Sequence, residues 1–217
     1  MNTPEIEENT IPAEVVDTEK LKEKLGILSR TSPWIIIPLD LAASAGLFLF
    51  GYYKRDLNPL NYFWVFLLGM FAWTLIEYVM HRFAFHYPAT SEKGKKAIWL
   101  VHGVHHDDPK HPDKLYQPPL TNMILMFAFY MAISLMMGKF VYVFLPGIII
   151  GYLTYSSIHY IIHNFKPPFK WLQPLWRHHN MHHYRFSNKA FGVSSPFWDV
   201  IFGTLPPKNI TDGSDDK

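Results

Sequence analysis

The sequence predicts an all-α integral membrane protein, four transmembrane helices with a helical cap on their cytosolic side. Three observations carry this expectation. Four apolar runs, at 34–53, 60–80, 120–137 and 140–162, match the length of about 20 residues at which a helix crosses a hydrocarbon core. Lysine and arginine fall unequally on the two sides of these runs. Eleven of the twelve histidines gather where the runs end or in the polar stretches that follow them.

Taken in order, residues 1–33 form a polar, acidic N-terminal segment with no apolar stretch, so no cleavable signal peptide is expected. Within it, 18–29 is expected to form a short surface helix with Leu21, Leu25 and Leu28 on one stripe. The membrane domain spans 34–205. Asp40 stands near the start of the first run, and the span is expected to begin after it. The third and fourth runs are separated only by Gly138-Lys139, which suits a tight helical hairpin. Between the second and third runs the chain is expected to be helical at 95–106 and broken by Pro109 and Pro112. Pro118-Pro119 and Pro167-Pro168 punctuate the chain before the third run and after the fourth. A further cytosolic helix is expected at 171–184. Residues 191–205 read as a loop or short amphipathic piece under the His-rich region, and 206–217 as a polar tail.

Hydrophobic residues make up 49% of the chain, yet mean hydropathy is +0.00, the average of greasy runs and a polar, His-rich remainder. Seventeen Lys and Arg lie before the first run, at 81–119 or after 163; only Lys54, Arg55 and Lys139 lie on the other side. The positive-inside rule then places both termini and the middle loop in the cytoplasm, of a bacterial inner membrane or the endoplasmic reticulum. A formal charge of +2 without a dense basic block excludes nucleic acid as a partner. The absence of cysteine excludes thiolate ligands and thiol nucleophiles, leaving nitrogen and oxygen donors for any metal.

The clusters read His81-Arg-Phe-Ala-Phe-His86, His102-Gly-Val-His105-His106, His159-Tyr-Ile-Ile-His163 and His178-His179-Asn-Met-His182-His183. Imidazole is the commonest protein ligand of redox-capable metals. His159 and His163, four apart, share a helix face. In the two HxxHH triplets the offsets of three and four are also expected to turn the rings to one face and a common point. His81 and His86 are five apart, so the helix is expected to end or loosen between them. His111 lies in a Pro-broken loop and is expected not to ligate. His178 points about 100° away from His179 and is expected to stand behind the ligands or face substrate. Ten candidate ligands remain, enough to hold two six-coordinate ions with about two positions open. Iron would activate dioxygen; zinc binds the same donors. Glu77, Asp107 and Asp199 are candidates to hydrogen-bond a ligand imidazole from behind. Trp64, Phe71, Trp73 and Tyr78 are expected in helix packing or the interfacial belt.

This HxxxxH, HxxHH, HxxxH, HxxHH order resembles the fatty acid hydroxylase superfamily of membrane-bound non-haem di-iron oxygenases. Within it the likeness is strongest to the fatty acid 2-hydroxylases that act on sphingolipid acyl chains, through Leu115-Tyr-Gln-Pro-Pro119 and Phe191-Gly-Val-Ser-Ser-Pro-Phe-Trp-Asp199. The resemblance covers about 60–205. It implies that the di-metal ligands are His81, His86, His102, His105, His106, His159, His163, His179, His182 and His183, and assigns no catalytic residue beyond them. It implies two irons in the active enzyme, a long-chain acyl lipid, free or in ceramide, as substrate, O2 as co-substrate, and membrane lipid as surroundings. Eukaryotic relatives often carry an N-terminal haem-binding cytochrome domain with a His-Pro-Gly-Gly motif. This sequence lacks that motif, so a separate electron-donor protein is expected. A sterol or carotenoid hydroxylase or desaturase would use the same ligands. A metal transporter would place them at mid-membrane rather than at the cytosolic ends, and a structural zinc site would close with four.

Overall fold

The computed structural model describes residues 32–55, 58–111 and 115–207. The expected helix at 18–29 and the tail beyond 207 lie outside the described residues. Among the described residues every regular element is helical.

Helix α1 (Pro33–Lys54) and helix α2 (Pro59–Val79) each begin on a proline, whose missing N–H has no helical partner to lose and whose φ is already helical. Asn58 caps α2, its Oδ1 accepting from the Leu60 amide at 2.9 Å. α2 runs on into a π-helical turn, Met80–Phe85. The middle excursion holds α3 (Glu92–Ile98), a second π turn (Trp99–Gly103) and α4 (Val104–Asp107), close to the helix expected there. Ser91 caps α3 by accepting from the Gly94 amide.

Pro119–Met137 forms α5 and Val141–Asn164 forms α6, joined by one 3-10 turn, Gly138–Phe140. Gly138 has φ +54°, a conformation that favours glycine, and it reverses the chain there. Ile133 of α5 packs with Val141 and Leu145 of α6, so the two helices run antiparallel as the Gly-Lys separation implied. By length and apolarity three helical stretches qualify to cross a membrane: Pro33–Lys54, Pro59–Phe85 and Pro119–Asn164, the last containing both arms of the hairpin. The chain is a multi-pass membrane protein. Leu135 and Met136 are more than four-fifths exposed, a surface suited to lipid rather than water.

Helix α6 is central, packed along α2 and against α1. Glycines set the approach. A Cβ on Gly69 would strike the Phe144 carbonyl, and one on Gly147 the Phe66 carbonyl, so the backbones of α2 and α6 meet at this pair. One turn on, Gly151 accommodates Trp73.

Asp40 departs from expectation. The helix starts at Pro33, so Asp40 lies inside α1, where it is buried and accepts from Asn122 Nδ2 of α5 at 2.6 Å. At the opposite end, Arg55 donates to the Tyr142 hydroxyl at 3.1 Å. These contacts place the starts of α1 and α5 at one end of the bundle with the finishing ends of α2 and α6. The histidines lie at that end.

The chain closes with a 3-10 turn (Lys170–Leu172), α7 (Gln173–Tyr184) and α8 (Phe197–Ile201). Trp176 packs with Ile162 and Val193 and donates to the Phe165 carbonyl, docking α7 beside the end of α6. Trp198 donates to Thr74 Oγ1, and the Tyr78 and Thr204 hydroxyls lie 2.8 Å apart, docking the C-terminal segment on α2. Phe71 lies against Trp198 and Trp73 against Tyr152, as helix packing, while Trp64 stays exposed.

Candidate metal centre

The five-residue spacing of His81 and His86 is resolved by a wider helix. A π turn closes i to i+5 hydrogen bonds, so it stacks residues five apart. The His86 amide donates to the His81 carbonyl at 3.2 Å, and the two ring centroids are 5.1 Å apart. The second π turn carries His102.

The ten candidates form two groups of five. His81, His86, His102, His106 and His182 make one; His105, His159, His163, His179 and His183 make the other. Within each group one nitrogen per ring lies within 4.8 Å of all the rest. This corrects the expectation that each HxxHH triplet faces a single point. On a helix, successive residues diverge by about 100°, so members four apart stay together while the residue between them turns away. His102 and His106 thus join the first group and His105 the second. In α7 the roles are exchanged: His179 and His183 join the second group and His182 the first. The groups abut where His106 stacks on His183 at 4.2 Å.

The ring-to-ring distances match the edges of a coordination polyhedron. Nε2 atoms of His81 and His102 lie 3.1 Å apart, His102 and His106 3.0 Å, His163 and His179 2.8 Å, and His105 and His183 3.1 Å. Two imidazoles bound at right angles with metal–nitrogen bonds of about 2.1 Å are about 3.0 Å apart. His86 Nε2, His182 Nε2 and His159 Nε2 are buried without a hydrogen-bond partner among the described residues. A cation at the centre of each group would satisfy them. The donor set therefore fits metal.

Electrostatics favour the neutral, ligating form. Burial first, and the neighbouring His106 second, lower His86 to about 3. Burial lowers His106 to about 4 against the opposing pull of Asp107. Burial and neighbouring rings also push His102, His179, His182 and His183 well below the ordinary imidazole value. At neutral pH these lone pairs do not compete with protons.

The remaining candidates sit outside both groups. His111 lies in the turn after α4, its amide bonded to the Asp108 carbonyl. His178 points from α7 to Asp199, with Nε2 3.1 Å from Oδ2. None of the three carboxylates takes the expected hydrogen bond from one of the ten rings. Asp107 accepts from Trp99 Nε1 at 2.8 Å. Glu77 is buried and accepts from the amides of Val193 and Ser194 at 2.7 and 2.9 Å, and from the Ser194 hydroxyl. Asp199 accepts from the amides of Phe191 and Gly192, from Thr204 Oγ1 and from His178. Burial raises the pKa of Asp199, but these four donors together hold it below the usual carboxylate value.

Sequence reasoning missed two backbone groups. The Phe191 carbonyl lies 2.6 Å from His81 Nδ1, and the Lys189 carbonyl 2.7 Å from His182 Nδ1. Carbonyls leave no mark in a sequence. The Phe-Gly-Val-Ser-Ser stretch at 191–195 was the available signal.

Helices ending in ten convergent imidazoles, on an apolar bundle, define a His-rich, metal-binding type of membrane protein. The sequence profile described as fatty acid hydroxylase matches residues 66–204, and the chain belongs to that family. It is 38% identical over 140 residues to a dihydroceramide fatty acyl 2-hydroxylase of Arabidopsis thaliana, covering 64% of this chain and 59% of that one. It is 34% identical over 182 residues to the ceramide very long chain fatty acid hydroxylase of Saccharomyces cerevisiae, covering 82% and 46%. With the human fatty acid 2-hydroxylase it shares 36% over 150 residues, 66% and 40% of the two chains. The match thus spans about half the length of these relatives. A solved structure of full-length Scs7p, in which only the hydroxylase domain is visible, superposes with a TM-score of 0.74 at 31% identity, covering 86% of this chain and 71% of that one.

Proposed function

We propose that this chain hydroxylates long-chain acyl groups at the 2-position, as free fatty acid or in ceramide, using O2 and two metal ions held by the ten histidines. The observation that carries the reading is the pair of five-imidazole groups at one end of an apolar bundle. The named relatives, 2-hydroxylases of fatty acyl and dihydroceramide substrates, support the choice of position. Iron is the metal of the active enzyme in this reading, and zinc can take its place in purified protein. Bound iron supplies the activation of O2 and the removal of hydrogen beside the acyl carbonyl, with electrons reaching it from a separate donor protein.

The chain's own part is to hold and exclude. His81, His86, His102, His106 and His182 hold one ion, and His105, His159, His163, His179 and His183 the other. The low proton affinity of His86, His102, His106, His179, His182 and His183 keeps their lone pairs available at neutral pH. The open, mostly apolar groove between α1 and α6 lined by Ile37, Leu41, Ser157, Ile158 and Ile161 lies on the face of α6 opposite His159 and His163, and so meets lipid rather than the metal centre. The acyl chain must be held against the rings. Holding that chain in one register is what confines reaction to one carbon. In this reading residues 34–205 form the hydroxylase unit, α1, α2, α5 and α6 cross the bilayer four times, and the His-bearing end with both termini faces the cytoplasm.

Expression in a host without 2-hydroxylated lipids, under labelled O2, tests the reading by mass spectrometry of acyl chains. Label at the 2-position with the native chain and none with a His159→Ala/His163→Ala variant is the expected outcome. Label in a sterol or carotenoid, or a new double bond, would keep the family and overturn the substrate. No product with metal loaded and a competent donor would favour a non-catalytic metal-binding role.

A further inference from the structure

The two histidine groups differ in what stands behind the rings. In the first group, two rings lean on backbone: His182 Nδ1 on the Lys189 carbonyl and His81 Nδ1 on the Phe191 carbonyl. These carbonyls flank Ala190, which is fully buried with φ +59° and donates its amide to the Thr204 carbonyl at 2.9 Å. Left-handed backbone at a residue other than glycine is disfavoured and persists only where its surroundings hold it. The surroundings here are two buried carboxylates. Asp199 binds the amides of residues 191 and 192, and Glu77 binds those of 193 and 194, so four consecutive N–H groups are clamped. Gly192 is required beneath this clamp, because a Cβ there would strike Asp199 and the Ser195 carbonyl.

Three rings of the second group show no such support. The Nδ1 atoms of His159, His179 and His183 are buried without a hydrogen-bond partner among the described residues.

We infer that Glu77 and Asp199 are positioning residues, which lock residues 189–194 as a bracket behind one metal group and make the two metal sites unequal. An Nδ1–H donated to a fixed carbonyl sets the tautomer, aims Nε2 at the ion and raises ring basicity. Loss of such support costs roughly 10–100-fold in metal affinity. The ion of the His81 group is therefore held tightly and that of the His159 group loosely. This inference rests on the two-metal reading above.

The full chain in detergent micelles, loaded with cobalt(II), tests it. Metal per chain and visible absorption are followed as chelator is added, with helical content read in parallel. Two release steps are expected in the native chain. His86→Ala should abolish the tight step and His159→Ala the loose one. Glu77→Ala and Asp199→Ala should weaken the tight step by roughly 10–100-fold at unchanged helical content, leaving the loose step in place. Glu77→Gln retains an acceptor oxygen for the two amides and should restore part of the loss. If Glu77→Ala does not fold, Ser194→Ala, which removes only the hydroxyl bond, decides by whether the tight step moves. A single release step, or variants that weaken both steps equally, would overturn the inference while leaving two metals bound. A native chain that takes up no cobalt would overturn the metal-site reading and this inference with it.

Discussion

His105 and His106 are neighbours in the chain, yet their rings serve different groups. His105 packs against His159 at 4.5 Å, while His106 packs against His102 at 4.7 Å. The same division separates His182 from His183 on α7. Each HxxHH motif therefore crosses from one group to the other, and neither group is complete without both motifs.

That crossing makes single substitutions selective. His105→Ala should remove the ion held with His159, and His102→Ala the ion held with His81, each leaving about one metal per chain instead of two. Elemental analysis of protein purified in detergent measures this directly. Loss of both ions from both variants would show that the groups bind as one unit.

The α2–α6 contact leaves no room for a side chain. Gly147→Ala would force its new Cβ against the Phe66 carbonyl, and overpacking of this kind costs about 1–3 kcal/mol. The expected result is a lower thermal midpoint in detergent and weaker metal retention, because α2 leads into the π turn that carries His81 and α6 carries His159 and His163. Gly46→Ala, with nothing within 4 Å of its Cβ, should not lower the midpoint.

Asn122 and Asp40 join α5 to α1 through a buried bond of 2.6 Å. Asn122→Ala strands the carboxylate and should destabilise by about 1–3 kcal/mol, whereas replacing both residues with apolar ones should recover much of the loss. A double-mutant cycle on thermal or denaturant unfolding checks it; additive effects would deny the coupling.

The metal-free protein should lose stability as pH falls. His86 and His106 titrate at about 3 and about 4 when folded, against 6.5 for the ordinary side chain. Below 6.5 the unfolded chain binds protons that the folded chain refuses, so stability rises with pH in this window. It is complete above 6.5 and drains as pH falls toward about 4 and then about 3. Unfolding midpoints measured from about pH 7.5 down to about pH 5 should fall steadily, and at least as steeply with metal bound, because a bound ion keeps the folded rings free of protons. A flat profile would mean the rings are not buried as neutral groups.

Much of the molecule was legible in its residues. Apolar length marked the helical stretches, and Gly138-Lys139 marked the hairpin, because hydrophobic periodicity and glycine conformation are local properties. His spacing selected the ten rings that the fold brings together and set His111 and His178 apart. Local rules failed where distant backbone mattered. Asp40 reads as a boundary residue until Asn122, 82 positions away, is beside it. Glu77 reads as a partner for a ring on its own helix, yet it holds amides 116 and 117 positions on.

The sequence by itself determined the membrane class, the helical elements, the donor chemistry and the candidate ligands. Only the tertiary structure decided how ten rings divide into two groups, which turns widen to π geometry, and which group has a carbonyl bracket behind it. The physical reason is that imidazole chemistry and helix formation are written in side chains, whereas the partition depends on the angle at which four separate helix ends meet and on carbonyls that every residue carries alike.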